Sequence, residues 1–525
     1  MDLKLPQFLK RLIDNLELKE RIYEMGLNKE QIQIDEILYI CFFSIMLIAK
    51  GLGLYDGQTL YKVLFVIAMT CVVIKMCITQ YTIREWVTIG VLGVLTLIVY
   101  CVSKEKGIIL CMATIIALKN VSINKVFKIG AWIWSLAMLT NLIYHLMFLE
   151  VSGYKIHEKL GLGHIFRWDL GFSHPNVLHI AYLTLVAFII YNLGEKFNWK
   201  YMLILMSGNL IIFLYSVSYT GIIVVTLYLG LSWYINIRKE LNILEYFLLE
   251  TIFPCCLILS FLSPFILPEK IFNIVNKIFS TRLSLAKYFL VEENIKLWGN
   301  NLENITTYQY TMDNAFIFSI IIYGTVIWGL LSLGYVGTVH WYVKNKRNME
   351  LAMIGAFMVA GITEPFLFNT SFKNLTLLFV GAFLWHLLED KSGEKKEYSI
   401  FKMKIHSIEF NSLYIKSIRD NIDKIWYTRK KNIICLSCVL GMIIGISTIF
   451  INNPPKGYIV PRKHTDLKNE EAVYLENKDD IRYVDYKVLD FEDSDTKMQI
   501  YEGNIVKVEM VRRCVGTMII TAFVS

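Results

Sequence analysis

The feature that most limits what this chain can become is a series of apolar runs, each close to 20 residues long, that fills most of residues 36–389 and returns at 433–452. A run of that length, wound as a helix, crosses a hydrocarbon core roughly 30 Å thick. The runs lie near 36–54, 60–79, 85–103, 107–122, 127–149, 175–193, 201–217, 219–237, 246–266, 314–341, 350–367, 374–389 and 433–452. Of 525 residues, 55% are hydrophobic and 14% aromatic, and they are spread along the chain rather than gathered in one anchor. Alternating segments of about 10 residues, the mark of a β-barrel, do not occur before the last span. The expected fold class is an all-α polytopic membrane protein with about 13 transmembrane helices. No nucleic-acid partner is expected of such a chain.

Charge orients it. The polar segment 1–35 holds Lys4, Lys10, Arg11, Lys19, Arg21 and Lys29, and has no cleavable signal-peptide pattern. Lys119, Lys125 and Lys128, then Arg238 and Lys239, then Lys344, Lys346 and Arg347 follow in the same phase, and 391–432 is basic throughout. The positive-inside rule makes that face, with the N-terminus, cytoplasmic. The membrane domain then covers 36–390. The basic segment 391–432 is expected along anionic lipid, and 433–452 is the last span. Three longer segments face outward: 150–174, 267–313 and the tail 453–525. The tail alternates apolar and polar residues around Val484–Val488 and Val506–Met510, the pattern of a small β-rich appendage. Lys75, near the inner end of its span, is expected to snorkel to the cytoplasmic face. The cysteines mostly sit inside apolar runs and read as inert buried thiols. Cys435 and Cys438 form a CxxC without partner ligands.

Candidate chemistry gathers on the outer side. Five of the nine histidines (His145, His157, His164, His174 and His179) fall between 145 and 179, but no HExxH spacing supports a metal site. Ser173–His174–Pro175–Asn176 opens a span. Pro175 suits a first turn and Ser173 or His174 can cap it, while His174 and Asn176 can also line a site. In 267–313, Ile271, Ile274, Val275, Ile278 and Phe279 recur at helical spacing, as in an interfacial helix. Ser280 or Thr281 can cap the next helix, whose first turn carries Arg282 and whose Ala286, Phe289 and Leu290 are expected to face the membrane. Arg282 suits a phosphate; the alternative is pairing with Glu292, Glu293 or lipid head groups. Asp313 is either a general base or an N-cap. Glu364 interrupts an apolar span, where an acid normally faces a cavity or a partner. Lys373 is its nearest candidate partner in sequence. Ser216, Ser218, Tyr219 and Thr220 read as a turn, and Asp493–Ser494–Asp495 as a solvated one.

GFSHPN (171–176) before a span, TRLSLAKYF (281–289) in the large outer loop, MDNAFIFSIIIYGTVIWG (312–329) and ITEPFLFN (362–369) occur in an order that resembles Wzy-type polysaccharide polymerases, distant relatives of O-antigen ligases. The resemblance covers roughly 36–390 and implies a GT-C-like helical bundle with a large outer loop. It implies polymerisation of undecaprenyl-diphosphate-linked repeat units into capsular or O-antigen-type polysaccharide at the outer face of the bacterial cytoplasmic membrane. On that reading Arg282 contacts the diphosphate, with Arg167 as a second candidate. Asn176, Asn314 and Lys373 contribute to substrate binding, and Asp313, Glu364 and His174 are the catalytic candidates. Where the ligase-like pattern has His-Asn, this chain has Asp313–Asn314. No cofactor or metal is implied. Partners are lipid-linked glycans, membrane lipids, and a chain-length regulator and flippase of the same pathway. Three other readings are open: a lipid-linked oligosaccharide flippase, a ligase-like glycan transferase, and a glycosyltransferase using a polyprenyl monophosphate sugar. The last usually has acidic residues in its first outer loop, where this chain has only Asp56.

Overall fold

The computed structural model describes residues 30–147, 153–159, 163–238, 240–279, 281–305, 312–389, 398–400 and 407–410. The expected last span, the tail with Asp493–Asp495, Cys435 and Cys438, the N-terminal basic residues and most of 391–432 lie outside them.

In chain order the elements are β1 (Glu30–Gln33), α1 (Ile34–Gly51), α2 (Thr59–Ile78), α3 (Ile83–Ser103), α4 (Gly107–Ile116), α5 (Ile123–Met147), β2 (Tyr154–Lys159) and β3 (Gly163–Trp168). Then come α6 (Pro175–Leu193), α7 (Trp199–Ser216), α8 (Tyr219–Arg238), α9 (Ile243–Ile266), α10 (Glu269–Ile278), α11 (Arg282–Glu292) and α12 (Leu302–Ile305). α13 (Ala315–Ile322), α14 (Gly324–Lys344), α15 (Asn348–Gly361), α16 (Leu377–Leu388) and β4 (Ser407–Phe410) complete the set.

Among the described residues, eight helical stretches are long and apolar enough to cross a membrane, counting α13 and α14 as one. Their outer faces leave little other choice. Along α3, Ile83, Val87, Val91, Val94 and Ile98 are all exposed, at successive spacings of three or four. Along α2, so are Val63, Val66, Ile67, Val73 and Ile74. Apolar stripes of that length are stable against lipid, not water. The protein is a mostly helical, multi-pass membrane protein.

Contacts sort the helix ends onto two faces. On one, Lys119 pairs with Glu85 at 2.7 Å, Lys125 with Glu36 at 2.8 Å, and Arg347 with Glu350. Lys75 does not snorkel. It is fully buried, donating to the Lys119 carbonyl at 2.9 Å with Asp35 3.7 Å away. A lysine with two acceptors inside the bundle has no need to reach for water. Tyr81 exchanges backbone bonds with Tyr398 on this face, so the start of the basic segment returns here.

On the opposite face lie the loops after α1, α3, α5, α7, α9 and α15. Here the expected spans are revised. α4, α15 and α16 have 10, 14 and 12 residues, or about 15, 21 and 18 Å, short of a full crossing. Each reaches the Lys119 face. The loop 362–376 between α15 and α16 therefore lies deep, and the Phe372 ring meets Phe42 and Phe43 halfway along α1. The expected span 314–341 is two helices broken at Gly324, whose φ of +79° only glycine adopts freely. The segment 294–300 packs into the break: Thr325 N–H donates to the Lys296 carbonyl, and Asn300 to the Ile321 carbonyl. All eight residues of α13 are buried.

The segment 150–174 contains a β-hairpin, β2 against β3 in antiparallel register with Lys155 opposite Arg167. Its last residues, Arg167 and Trp168, are both buried. α10 leaves Ile271 and Ile274 exposed, as an interfacial helix requires. Ala286 and Phe289 of α11 instead face the protein interior, because α11 packs on α9 and α13.

Candidate functional site

Three segments of the second face converge on Glu364. The hairpin and α6 bring Arg167 and Asn176, α11 brings Arg282, and the deep loop brings Glu364 itself. His174 caps α6, its Nδ1 accepting from the Asn176 N–H at 3.0 Å, with Pro175 in the first turn. That cap fixes the backbone of Asn176, whose side chain becomes a bridge. Its oxygen accepts from Arg167 at 2.5 Å and its amide donates to Glu364 Oε1 at 2.8 Å.

Arg282 completes the network. Its guanidinium donates to Glu364 Oε1 at 2.7 Å, to the Thr363 carbonyl at 2.6 Å and to the Phe279 carbonyl at 3.3 Å. Asp313 Oδ2 lies 3.5 Å from its Nε. The partners are thus Glu364 and Asp313, not Glu292 or Glu293. The backbone before Arg282 is left-handed at Thr281 (φ +68°), whose side chain does not cap α11. Arg167 donates through Nε to the Ser216 carbonyl at 2.8 Å, at the C-terminal end of α7, where the helix dipole favours a cation.

Glu364 is buried, with both Oε1 donors on one oxygen. Its other oxygen, Oε2, accepts no hydrogen bond among the described residues. Burial pushes this carboxyl up to about 7; Arg282 opposes the shift, Asp313 adds to it, and Arg167 and Asn176 oppose it again. The result is a carboxyl anchored on one side that exchanges a proton near neutrality. Asp313 is the more exposed acid, with 28% of its side chain accessible.

The remaining candidates are placed as follows. Asn314, not Asp313, is the N-cap of α13: its oxygen accepts from the Phe316 and Ile317 N–H groups, and its amide donates to Ser260 and to the Ile362 carbonyl. It supports the loop beside the site. Lys373 does not pair with Glu364, whose donors are Arg282 and Asn176; it is buried elsewhere on the same loop. His179 is a satisfied core residue between Ser216 and Asn209, and His145 bonds the Asn141 carbonyl.

No protein-family model, no curated protein and no solved structure matches this chain. The functional reading therefore rests on the geometry.

Two participants were missed in the sequence. The carbonyls of Ser216 and Thr363 hold the two guanidiniums, and a backbone acceptor leaves no compositional trace. The turn at Ser216–Thr220 was legible, its grip on Arg167 was not.

Proposed function

We propose that this protein is a lipid-linked glycan polymerase of the Wzy type, acting at the outer face of the bacterial cytoplasmic membrane. A GT-C-like bundle of about 13 spans, with the Lys119 face cytoplasmic, belongs to this reading. The observation that carries it is the pair of guanidiniums, Arg167 and Arg282, joined through Asn176 and Glu364 on one face of a membrane bundle. Guanidiniums in a low-dielectric setting suit a diphosphate, whose oxygens accept parallel hydrogen bonds.

In this mechanism the growing glycan enters as a glycosyl diphosphate of undecaprenol. A hydroxyl on the terminal sugar of a second lipid-linked repeat unit attacks the anomeric carbon. The new C–O bond forms as the bond to diphosphate breaks, and undecaprenyl diphosphate leaves with the electron pair. Arg167 and Arg282 hold the negative charge as it develops. The hydroxyl proton passes to Glu364 Oε2, the oxygen that accepts no hydrogen bond among the described residues. Asp313, more exposed, orients acceptor hydroxyls beside Arg282, and His174 and Asn176 form the wall of the cleft. The reading assigns no metal or cofactor, since a diphosphate leaves without protonation when its charge is held.

The test is the product formed by purified protein from purified lipid-linked repeat units. Longer lipid-linked glycans are expected, and Arg282→Ala or Asp313→Ala at equal expression should abolish full-length polymer in cells. Transfer to a different acceptor would make the protein a ligase. Movement across a bilayer with no new bond would make it a flippase and sink the mechanism.

A further inference from the structure

Behind Arg167 runs a line of buried polar side chains. His179 on α6, and Asn209 and Ser216 on α7, are fully buried. His179 Nε2 lies 2.7 Å from Asn209 Oδ1, and its Nδ1 lies 3.0 Å from Ser216 Oγ. The Asn209 amide nitrogen donates to the Ile222 carbonyl at 3.2 Å. A carbonyl only accepts, so that contact turns the Asn209 oxygen toward the ring, and His179 carries its proton on Nε2. A buried ring between two neutral partners stays neutral. It therefore accepts at Nδ1, and the Ser216 hydroxyl donates to it.

Ser216 closes α7, and its carbonyl accepts from Arg167 Nε at 2.8 Å. Arg167 Nη2 reaches Asn176. These two contacts fix the plane of the guanidinium. They leave Nη1, which makes no hydrogen bond among the described residues, as the group that meets a phosphate oxygen. Val217, the next residue, is left-handed at a φ of +40°, which a β-branched side chain adopts only where its surroundings impose it. The turn is gripped on both sides: His179 holds Ser216, and Ser218 accepts from the Gly221 N–H at 3.3 Å. Gly221 in turn confines the ring, since a Cβ there would lie 2.4 Å from His179 Cγ.

We propose that His179 is a positioning residue for the diphosphate: through the Ser216 hydroxyl it fixes the carbonyl that aims Arg167. The inference rests on the polymerase reading and adds to it a residue that never touches substrate. A histidine that only filled space could be exchanged for any side chain of similar shape and polarity. One that positions Ser216 must offer an acceptor where Nδ1 stands.

Two amides separate these roles. In His179→Asn the shorter side chain puts its oxygen where Nδ1 stood, keeping the Ser216 bond and losing Asn209. In His179→Gln the longer one keeps Asn209 and leaves the Ser216 hydroxyl without its acceptor. Each loses one hydrogen bond, so both should melt at similarly lowered temperatures in detergent. Turnover of purified lipid-linked repeat units should be largely kept in His179→Asn. It should fall roughly a hundredfold in His179→Gln, the scale of an ångström-level misplacement. Ser216→Ala should fall likewise, and should have no further effect in an Arg167→Met background. Where an amide variant fails to fold, that cycle carries the test alone. Equal turnover in the two folded amide variants, or a Ser216→Ala effect that adds to that of Arg167→Met, would overturn the positioning role and leave the polymerase reading standing. The same cycle read on affinity for undecaprenyl diphosphate keeps the two ideas apart. Affinity lost in His179→Gln and Ser216→Ala but not further in Arg167→Met, in a protein that lengthens no glycan, would remove the polymerase reading and leave His179 in its role. No binding of undecaprenyl diphosphate by the unaltered chain would remove both.

Discussion

Asn176 and Glu364 are 188 positions apart, and the amide of one donates to the carboxylate of the other at 2.8 Å. The same amide group accepts from Arg167 through its oxygen, so a neutral residue couples a cation to an anion that it does not touch. Asn176→Ala leaves Arg167 short of an acceptor and Glu364 short of a donor. The expected loss is about 1–3 kcal/mol of stability, read as a lowered melting temperature in detergent. Unchanged melting would show that the bridge carries no energy.

Glu364→Gln keeps the shape and removes the proton acceptor. The turnover of lipid-linked repeat units should fall by about a hundredfold to ten-thousandfold, the usual range for a general base, with melting little changed. In the unaltered protein the rate should rise as pH increases through about 7, because the base works only when ionised. A rate independent of pH from 5 to 9 would remove Glu364 from that role.

Two buried groups give a stability profile with a defined sign. Glu364 has its carboxyl raised in the folded state, so the folded chain holds more protons between the ordinary carboxylate range and about 7, and stability falls as pH rises through that window. Lys373 has its ammonium lowered to about 7, so the folded chain holds fewer protons from there up to the ordinary lysine range, and stability rises with pH. From these two groups the melting temperature should pass through a minimum near neutrality. Lys373→Met should shrink the alkaline rise and leave the acid limb. A Lys373→Met profile identical to that of the unaltered protein would contradict the burial of that charge.

Gly324→Ala tests the break between α13 and α14. An added Cβ would lie 2.3 Å from the Leu297 carbonyl oxygen, at a φ of +79°. The expected cost is about 2 kcal/mol or more, seen as lower yield and melting temperature. Gly329→Ala, where a Cβ meets nothing within 4 Å, should be neutral and serves as the comparison.

How much of this was legible varies by residue. Apolar runs gave the long helices, because their period and length follow from the thickness of the bilayer. They overstated α4, α15 and α16, since Leu118, Ile362 and Leu375 are as apolar as a span while the backbone around them is turning. Pro175 and His174 announced the start of α6 correctly. Arg282 and Glu364 were each singled out, but as partners of other groups. Their pairing joins loops 82 positions apart, and no local pattern encodes it. Ala286 and Phe289 were given to lipid because hydrophobicity alone does not distinguish a lipid face from a protein one.

The short helices bear on something outside catalysis. Where α4 and α16 stop, water entering from the Arg282 face would leave only a thin layer of protein as electrical insulation. That layer ends in the Asp35–Lys75–Lys119–Glu85 cluster, which closes the bundle with fixed, mutually neutralising charges. A substitution such as Lys75→Ala would leave the Asp35 carboxylate buried without its cation, and would be felt first as about 3–5 kcal/mol of lost stability in that plug.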